Sequence, residues 1–396
     1  MKTTNSLVII ILAFSIEFIS SEPMYILSSS SDRTMKYWQI SDTKCIRSFT
    51  GHEGSVRFVS ISPDSKYALS GSGDNTLKYW NISDGACIRT FTGHDDEVNS
   101  VSISRDGLYA LSASNDHTLK LWRISDGACL RTFYGHNREV WSVCFSPDDR
   151  YALSGGDDIK YWNISDGTCI RTLRGHATSV MSVCFKTDGQ FVLSGSVDMT
   201  LKYWQLSDGK CIRTFTGHTG SVNSVCLSSD NLYALSGSYD QLIKYWRVSD
   251  GECLKTLAGH MNCIYSVNIS SDGKYAVSGG DYGSLKYWSI SEGKFIKSFE
   301  GHEASVTSVS FFSQETSFKD NNSASHIPSK TFSVSPNPFT ERLTISLPSS
   351  GAIYSITGQL IMKLDKGKHS LDTSKWKRGV YIVKSLMECK KIVKVK

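Results

Sequence analysis

Between residues 98 and 133 the apolar positions fall into four short bursts. They are Val98-Asn99-Ser100-Val101-Ser102-Ile103, Tyr109-Ala110-Leu111-Ser112, Leu119-Lys120-Leu121-Trp122 and Cys129-Leu130-Arg131-Thr132-Phe133. Each is short and rich in β-branched, aromatic or alternating apolar residues, which predicts strands. Turn chemistry separates them at Asp106-Gly107, Asn115-Asp116-His117 and Asp126-Gly127. Gly accepts positive φ and Asp bonds its own backbone, so these pairs fit tight hairpins. Four antiparallel strands follow, and no segment sustains the 3.6-residue apolar period of a helix.

The same unit recurs along the chain. Gly-His stands at 51–52, 93–94, 135–136, 175–176, 217–218, 259–260 and 301–302, with spacings of 42, 42, 40, 42, 42 and 42. Trp38, Trp80, Trp122, Trp162, Trp204, Trp246 and Trp288 march in step. Self-similarity at this period marks a repeat array. Gly-His, a Ser-Gly-Ser-x-Asp turn and a Trp at the end of the third strand resemble WD repeats over residues 24–312. The resemblance implies a seven-bladed β-propeller with four antiparallel strands per blade. The Asp that usually follows the Trp is replaced throughout, a change that the family tolerates.

Counting strands predicts how the ring closes. The first recognisable strand, from Tyr25, matches a second strand, so the first unit lacks its innermost one. Ser305–Phe311 is a surplus innermost strand, expected to pair beside Tyr25–Ser30 and protect both edges.

In WD repeats the His, a strand Ser, the turn Asp and the Trp form a buried hydrogen-bond relay. The resemblance places one such set at His52, Ser70, Asp74 and Trp80, and another across the closure at His302, Ser28, Asp32 and Trp38. A buried imidazole and indole need partners, so repeated His and Asp here read as structure rather than metal or acid–base chemistry. Weakened relays are expected in blade four, which has lost two residues and carries Asp157-Asp158, and in blade seven, where Tyr282 takes the Asp place. The 11 Cys cannot all pair. Cys45, Cys87, Cys129, Cys169, Cys211 and Cys253 repeat on the outermost strand, and Cys144, Cys184 and Cys226 on the innermost. All are read as small buried apolar residues, without disulfides or a zinc site.

The ends differ from the array. Leu7–Phe14 is a short apolar run after one Lys, with Ser20 and Ser21 behind it. It reads as a cleaved secretory signal over residues 1–21, the alternative being a buried strand. It is too short to cross ~30 Å of hydrocarbon as an anchor, and no later segment is apolar for long enough. Residues 313–332 read as a polar linker between a propeller at 22–312 and a tail at 333–396. Strands expected at 342–347, 353–356, 359–364, 379–384 and 391–395 make the tail a small β-sandwich in an all-β chain. Ser335-Pro336-Asn337-Pro338-Phe339, Ile356-Thr357-Gly358, Gly379-Val380-Tyr381 and Lys391-Ile392-Val393-Lys394 resemble the C-terminal sorting domain of the type IX secretion system. That implies export to the bacterial outer surface through the secretion machinery; the alternative is an accessory domain binding glycan or polyanion.

Composition then narrows the function. Residues 331–396 hold 12 Lys+Arg against 4 Asp+Glu, leaving 31 against 34 in the rest. A strongly basic nucleic-acid-binding body is excluded. No nucleophile elbow, phosphate loop or metal-ligand spacing points to an enzyme or a cofactor. Function is therefore expected in loops, and the WD-repeat resemblance implies the propeller face that carries Gly-His and the turns between second and third strands. Candidate partner-binding residues there are Arg57, Asp96, Glu97, Arg138, Trp141, Met181, Tyr239, Met261 and Tyr265. Aromatic, Met and Arg side chains favour interface cores, with neutral loop drift as the alternative. A protein or peptide partner is the first reading, with a glycan stacking on Trp141 or Tyr265 as the second. A loop-borne catalytic site around Asp95-Asp96-Glu97 or Asp157-Asp158 is the third.

Overall fold

A computed structural model describes residues 25–312 and, further on, the backbone of strands between residues 333 and 394. The expected leader at 1–21 and the expected linker at 313–332 lie outside the described residues. Two compact units result.

The first unit is seven four-stranded antiparallel sheets arranged as the blades of a ring. The second blade, taken from the inside outwards, is Val56–Ile61, Tyr67–Ser72, Leu77–Asn81 and Cys87–Phe91. Blades three to seven repeat it in chain order. The first blade is built from both ends of the propeller: Val306–Phe312 pairs antiparallel with Tyr25–Ser30, setting Val309 opposite Ser28 and Ser310 opposite Leu27. The strand supplied from the far end thus closes the ring as the strand count requires. It begins one residue later than expected because Ser305 sits in the preceding turn, where its carbonyl accepts from Ser31 N.

Apolar cores lie between blades rather than within one. Trp80 of the second blade packs with Phe49, Tyr37 and Met35 of the first, and each later Trp does the same one blade on. The Gly of each Gly-His follows from this packing. Gly51 has φ +142°, and a Cβ there would stand 3.4 Å from the Trp80 ring. On the opposite face a second device ties neighbours together. Arg47 on the outermost strand of blade one donates through Nη1 and Nη2 to Asp84 O and Ser83 O of blade two, at 2.7 and 2.8 Å. Arg89, Arg131, Arg171 and Arg213 repeat this fork. Lys255 bonds Ile290 O and Ser291 O, and Lys297 bonds Ile40 O and Ser41 O, which carries the clamp across the closure.

The cysteine expectation needs correction. On each outermost strand only the last apolar residue, such as Phe91, turns inward; Cys87, Cys129, Cys169, Cys211 and Cys253 are exposed and Cys45 is half-buried. These strands are sheet edges, so their first residues have no blade outside them to cover them. Cys144, Cys184 and Cys226 line the central channel, where burial pushes their thiols well above the usual range. All ten described cysteines are unpaired.

The second unit contains a three-stranded sheet of Ser333–Ser335, Arg342–Leu347 and Gly367–Asp372. A four-stranded sheet runs in the order Leu360–Leu364, Gly351–Ser355, Gly379–Ser385 and Cys389–Lys394. Five strands fall near their expected places; Ser333–Ser335 and Gly367–Asp372 were missed, being polar and glycine-led. Among the described residues no helix is long and apolar enough to cross a membrane.

Two outcomes follow. Val309→Asp places a charge at a position 4% exposed in the closing strand; it should cost more than about 4 kcal/mol, and gel filtration should show concentration-dependent association through the released edges. Under native conditions a maleimide should label the outer-strand cysteines within minutes and Cys144, Cys184 and Cys226 far more slowly, read by peptide mass spectrometry.

Candidate functional site

The face that carries Gly-His is organised by the relays. In the second blade Trp80 Nε1 donates to Ser70 Oγ at 2.8 Å, Ser70 Oγ lies 2.7 Å from His52 Nε2, and His52 Nδ1 lies 2.7 Å from Asp74 Oδ2. The indole N–H can only donate and the carboxylate only accept. The Ser hydroxyl therefore accepts from Trp and donates to Nε2, while Nδ1–H donates to Asp. Asp74 also accepts from Glu53 N, Thr76 N and Thr76 Oγ1. Burial pushes its carboxyl up, yet the bonds from His52 and Thr76 outweigh this and hold it well below the usual carboxylate range. Across the closure, His302 stands 2.8 Å from Ser28 Oγ and 2.7 Å from Asp32 Oδ2, and Trp38 Nε1 donates to Ser28 at 2.8 Å. Burial pushes the His136, His176, His218 and His302 imidazoles down by more than their aspartates raise them, so these rings stay neutral.

The two exceptional blades behave differently. Blade four keeps its relay, contrary to expectation: Asp157 Oδ1 reaches His136 Nδ1 at 2.6 Å, because the shortened turn still brings one of its two aspartates into place. Asn137, through N and Nδ2, fills the other carboxylate oxygen. Blade seven has no carboxylate at its relay position. Tyr282 points outward at 83% exposure, and His260 Nδ1 meets only Ser284 Oγ at 3.1 Å. Burial, with the Lys286 ammonium adding, pushes His260 down to about 4.

Held by these relays, the loops deliver seven side chains to one mouth of the central channel. Five residues after each relay His stand Arg57, Asn99, Trp141, Met181, Asn223, Tyr265 and Thr307, all lining a cavity of about 790 Å³. In six blades this residue is the extra one of a β-bulge, as between Val56 and Phe58. A bulge re-aims a side chain without lengthening the blade. Blade four instead starts its strand at Ser142, and Trp141 N donates to Gly155 O at 2.8 Å.

The candidates from sequence divide accordingly. Arg57, Trp141, Met181, Tyr239 and Tyr265 meet in the channel lining. Glu97 joins them through an ion pair with Arg57 at 2.5 Å. Asp96 caps its own loop, with Oδ1 accepting from Glu97 N, while Arg138 and Met261 are exposed and outside the lining. Asn99, Asn223 and Thr307 escaped the sequence reading. Each reaches the next blade's backbone, at Val140 O, Ile264 O and Val56 O. Counting five from each His would have found them.

The relay predicts its own failure modes. Ser154→Ala leaves Trp162 Nε1 and His136 Nε2 without their shared hydroxyl, an expected loss of about 2–4 kcal/mol read by denaturant unfolding. The unfolded chain's histidines take up protons as pH falls below about 6.5, whereas the buried rings of His136, His176, His218, His260 and His302 resist. Stability should therefore be full above pH 7 and decline towards pH 4, with His260 contributing until its folded value near 4 is reached. A melting temperature that does not fall between pH 7 and 5 would contradict the neutral relays.

Comparison with known families matches this geometry. The WD domain, G-beta repeat model matches residues 43–81, 85–123, 127–159, 167–205, 209–247, 251–289 and 293–318. The secretion system C-terminal sorting domain model matches residues 333–395. No curated protein matches the chain. The sorting domain makes it a type IX secreted or cell-surface bacterial protein. With its repeats matched over more than half its length, the chain belongs to the WD-repeat family of β-propellers.

Proposed function

We propose that the exported propeller is a non-catalytic scaffold that binds a polypeptide partner at the channel mouth. In this reading residues 1–21 are removed as a leader, 22–312 form the working body, and 313–332 tether the sorting domain at 333–396. The observation that carries it is a contrast within one strand. The position preceding each mouth residue is Val or Ile in every blade, and the position two after it is always Val. Between those constant positions stand Arg, Asn, Trp, Met, Asn, Tyr and Thr. The constant Val lines the shared cavity deeper along each strand, and a repeat kept uniform there yet diversified at the register of the mouth supports recognition at the mouth. Trp141, Met181 and Tyr265 are interface-favoured types. The buried His–Asp pairs are consumed in the relays, which favours binding over acid–base chemistry.

The test is a peptide display selection against wild-type protein, repeated with Trp141→Ala/Met181→Ala. Selected peptides should lose at least about tenfold in affinity for the variant. Equal affinity for both proteins, or binding confined to a glycan array, would overturn the polypeptide reading.

A further inference from the structure

The turn that lost the relay aspartate in blade seven did not lose a carboxylate; it moved one. Asp281 occupies the place that Gly73, Asn115, Val197 and Tyr239 hold in other turns, one residue before the relay position. Its Oδ1 accepts from Tyr265 Oη at 2.9 Å and from Ser305 Oγ at 2.9 Å. Both donors are neutral, and among the described residues Asp281 forms no ion pair, whereas Arg57 and Glu97 elsewhere at the mouth neutralise each other. The displacement is built in. Blades with a regular turn carry Ser at the position of Gly280, and a Cβ there would come within 2.6 Å of Cys263 O. Beside the carboxylate, Tyr239 and Tyr265 meet edge to face with centroids 5.7 Å apart, and Tyr239 is 44% exposed.

We infer that this side of the mouth is a subsite for a cationic side chain, Lys or Arg, of the polypeptide partner. The inference rests on the mouth being the binding surface. An uncompensated carboxylate in a partly enclosed site attracts an ammonium or guanidinium, and the adjoining tyrosine rings add cation–π attraction. One carboxylate with two hydroxyls is too sparse for a hard metal ion, which takes six or more oxygens. The neutral Arg57–Glu97 pair and the apolar Trp141 and Met181 then read the rest of the segment.

Calorimetry on the full chain should use three Ala/Ser nonapeptides with Lys, Arg or norleucine at the centre. Lys and Arg peptides should bind at least about fivefold tighter than the norleucine peptide. Asp281→Asn keeps an acceptor for Tyr265 and Ser305 and should erase that preference; if it unfolds, Tyr239→Leu should reduce it by about threefold. The preference should also shrink as salt is raised. A Lys preference unchanged in Asp281→Asn, or absent in wild type while norleucine binding still depends on Trp141, overturns the subsite alone. Failure of all three peptides to bind overturns this inference, and unchanged selected-peptide affinity in Trp141→Ala/Met181→Ala overturns the mouth as the site.

Discussion

Each blade depends on one serine hydroxyl that accepts from an indole and donates to an imidazole. That hydroxyl satisfies two buried polar groups at once, and in every blade but the seventh it fixes, through the imidazole, the carboxylate that shapes the neighbouring turn. Orphaning a buried donor or acceptor costs on the order of 1–3 kcal/mol. The relay therefore holds the Gly-His loop against the turn between second and third strands by an interaction that water cannot easily replace. Loop tips on that face are free to vary because their bases are not.

Much of this was legible in the chain because copied units repeat their errors and their necessities alike. The period gave blade number, the missing first strand gave the closure, and the recurrent His, Ser, Asp and Trp gave the relay. What escaped was information about direction. Val56 and Val59 are both buried although three residues apart, a spacing that strict alternation forbids and a bulge permits. Read that way, the chain would have announced the mouth register in every unit. The cysteines were misjudged for a related reason. Composition says that Cys is a buried type, but only position on an edge strand decides whether another layer covers it. The clamping Arg of Cys-Ile-Arg-Thr was equally visible and equally silent, since its partners are backbone carbonyls that no side-chain pattern reveals.

Blades four and seven illustrate two ways of absorbing change in a repeat. Blade four shortened its turn and kept the buried chemistry by substituting a neighbouring aspartate. Blade seven kept its length and moved its carboxylate off the relay position, leaving His260 on a weaker hydroxyl partner. The second route leaves a less perfect interior and an altered rim. Divergence thus concentrates at the loop face and the channel mouth, while the contacts between blades remain nearly interchangeable.

The shared first blade also sets an order of events. Ser28 and His302 meet across 274 residues of chain, so neither the closing strand nor its relay can form until almost the whole propeller is available. Loop-closure entropy and long sequence separation slow such a step relative to hairpins within one blade. A chain delivered from its N-terminus can therefore assemble blades two to seven successively while the ring stays open. The last innermost strand acts as a latch, and it lies directly before the segment that leads to the sorting domain. Completion of the fold and arrival of the export signal are thus consecutive events in the same stretch of polypeptide.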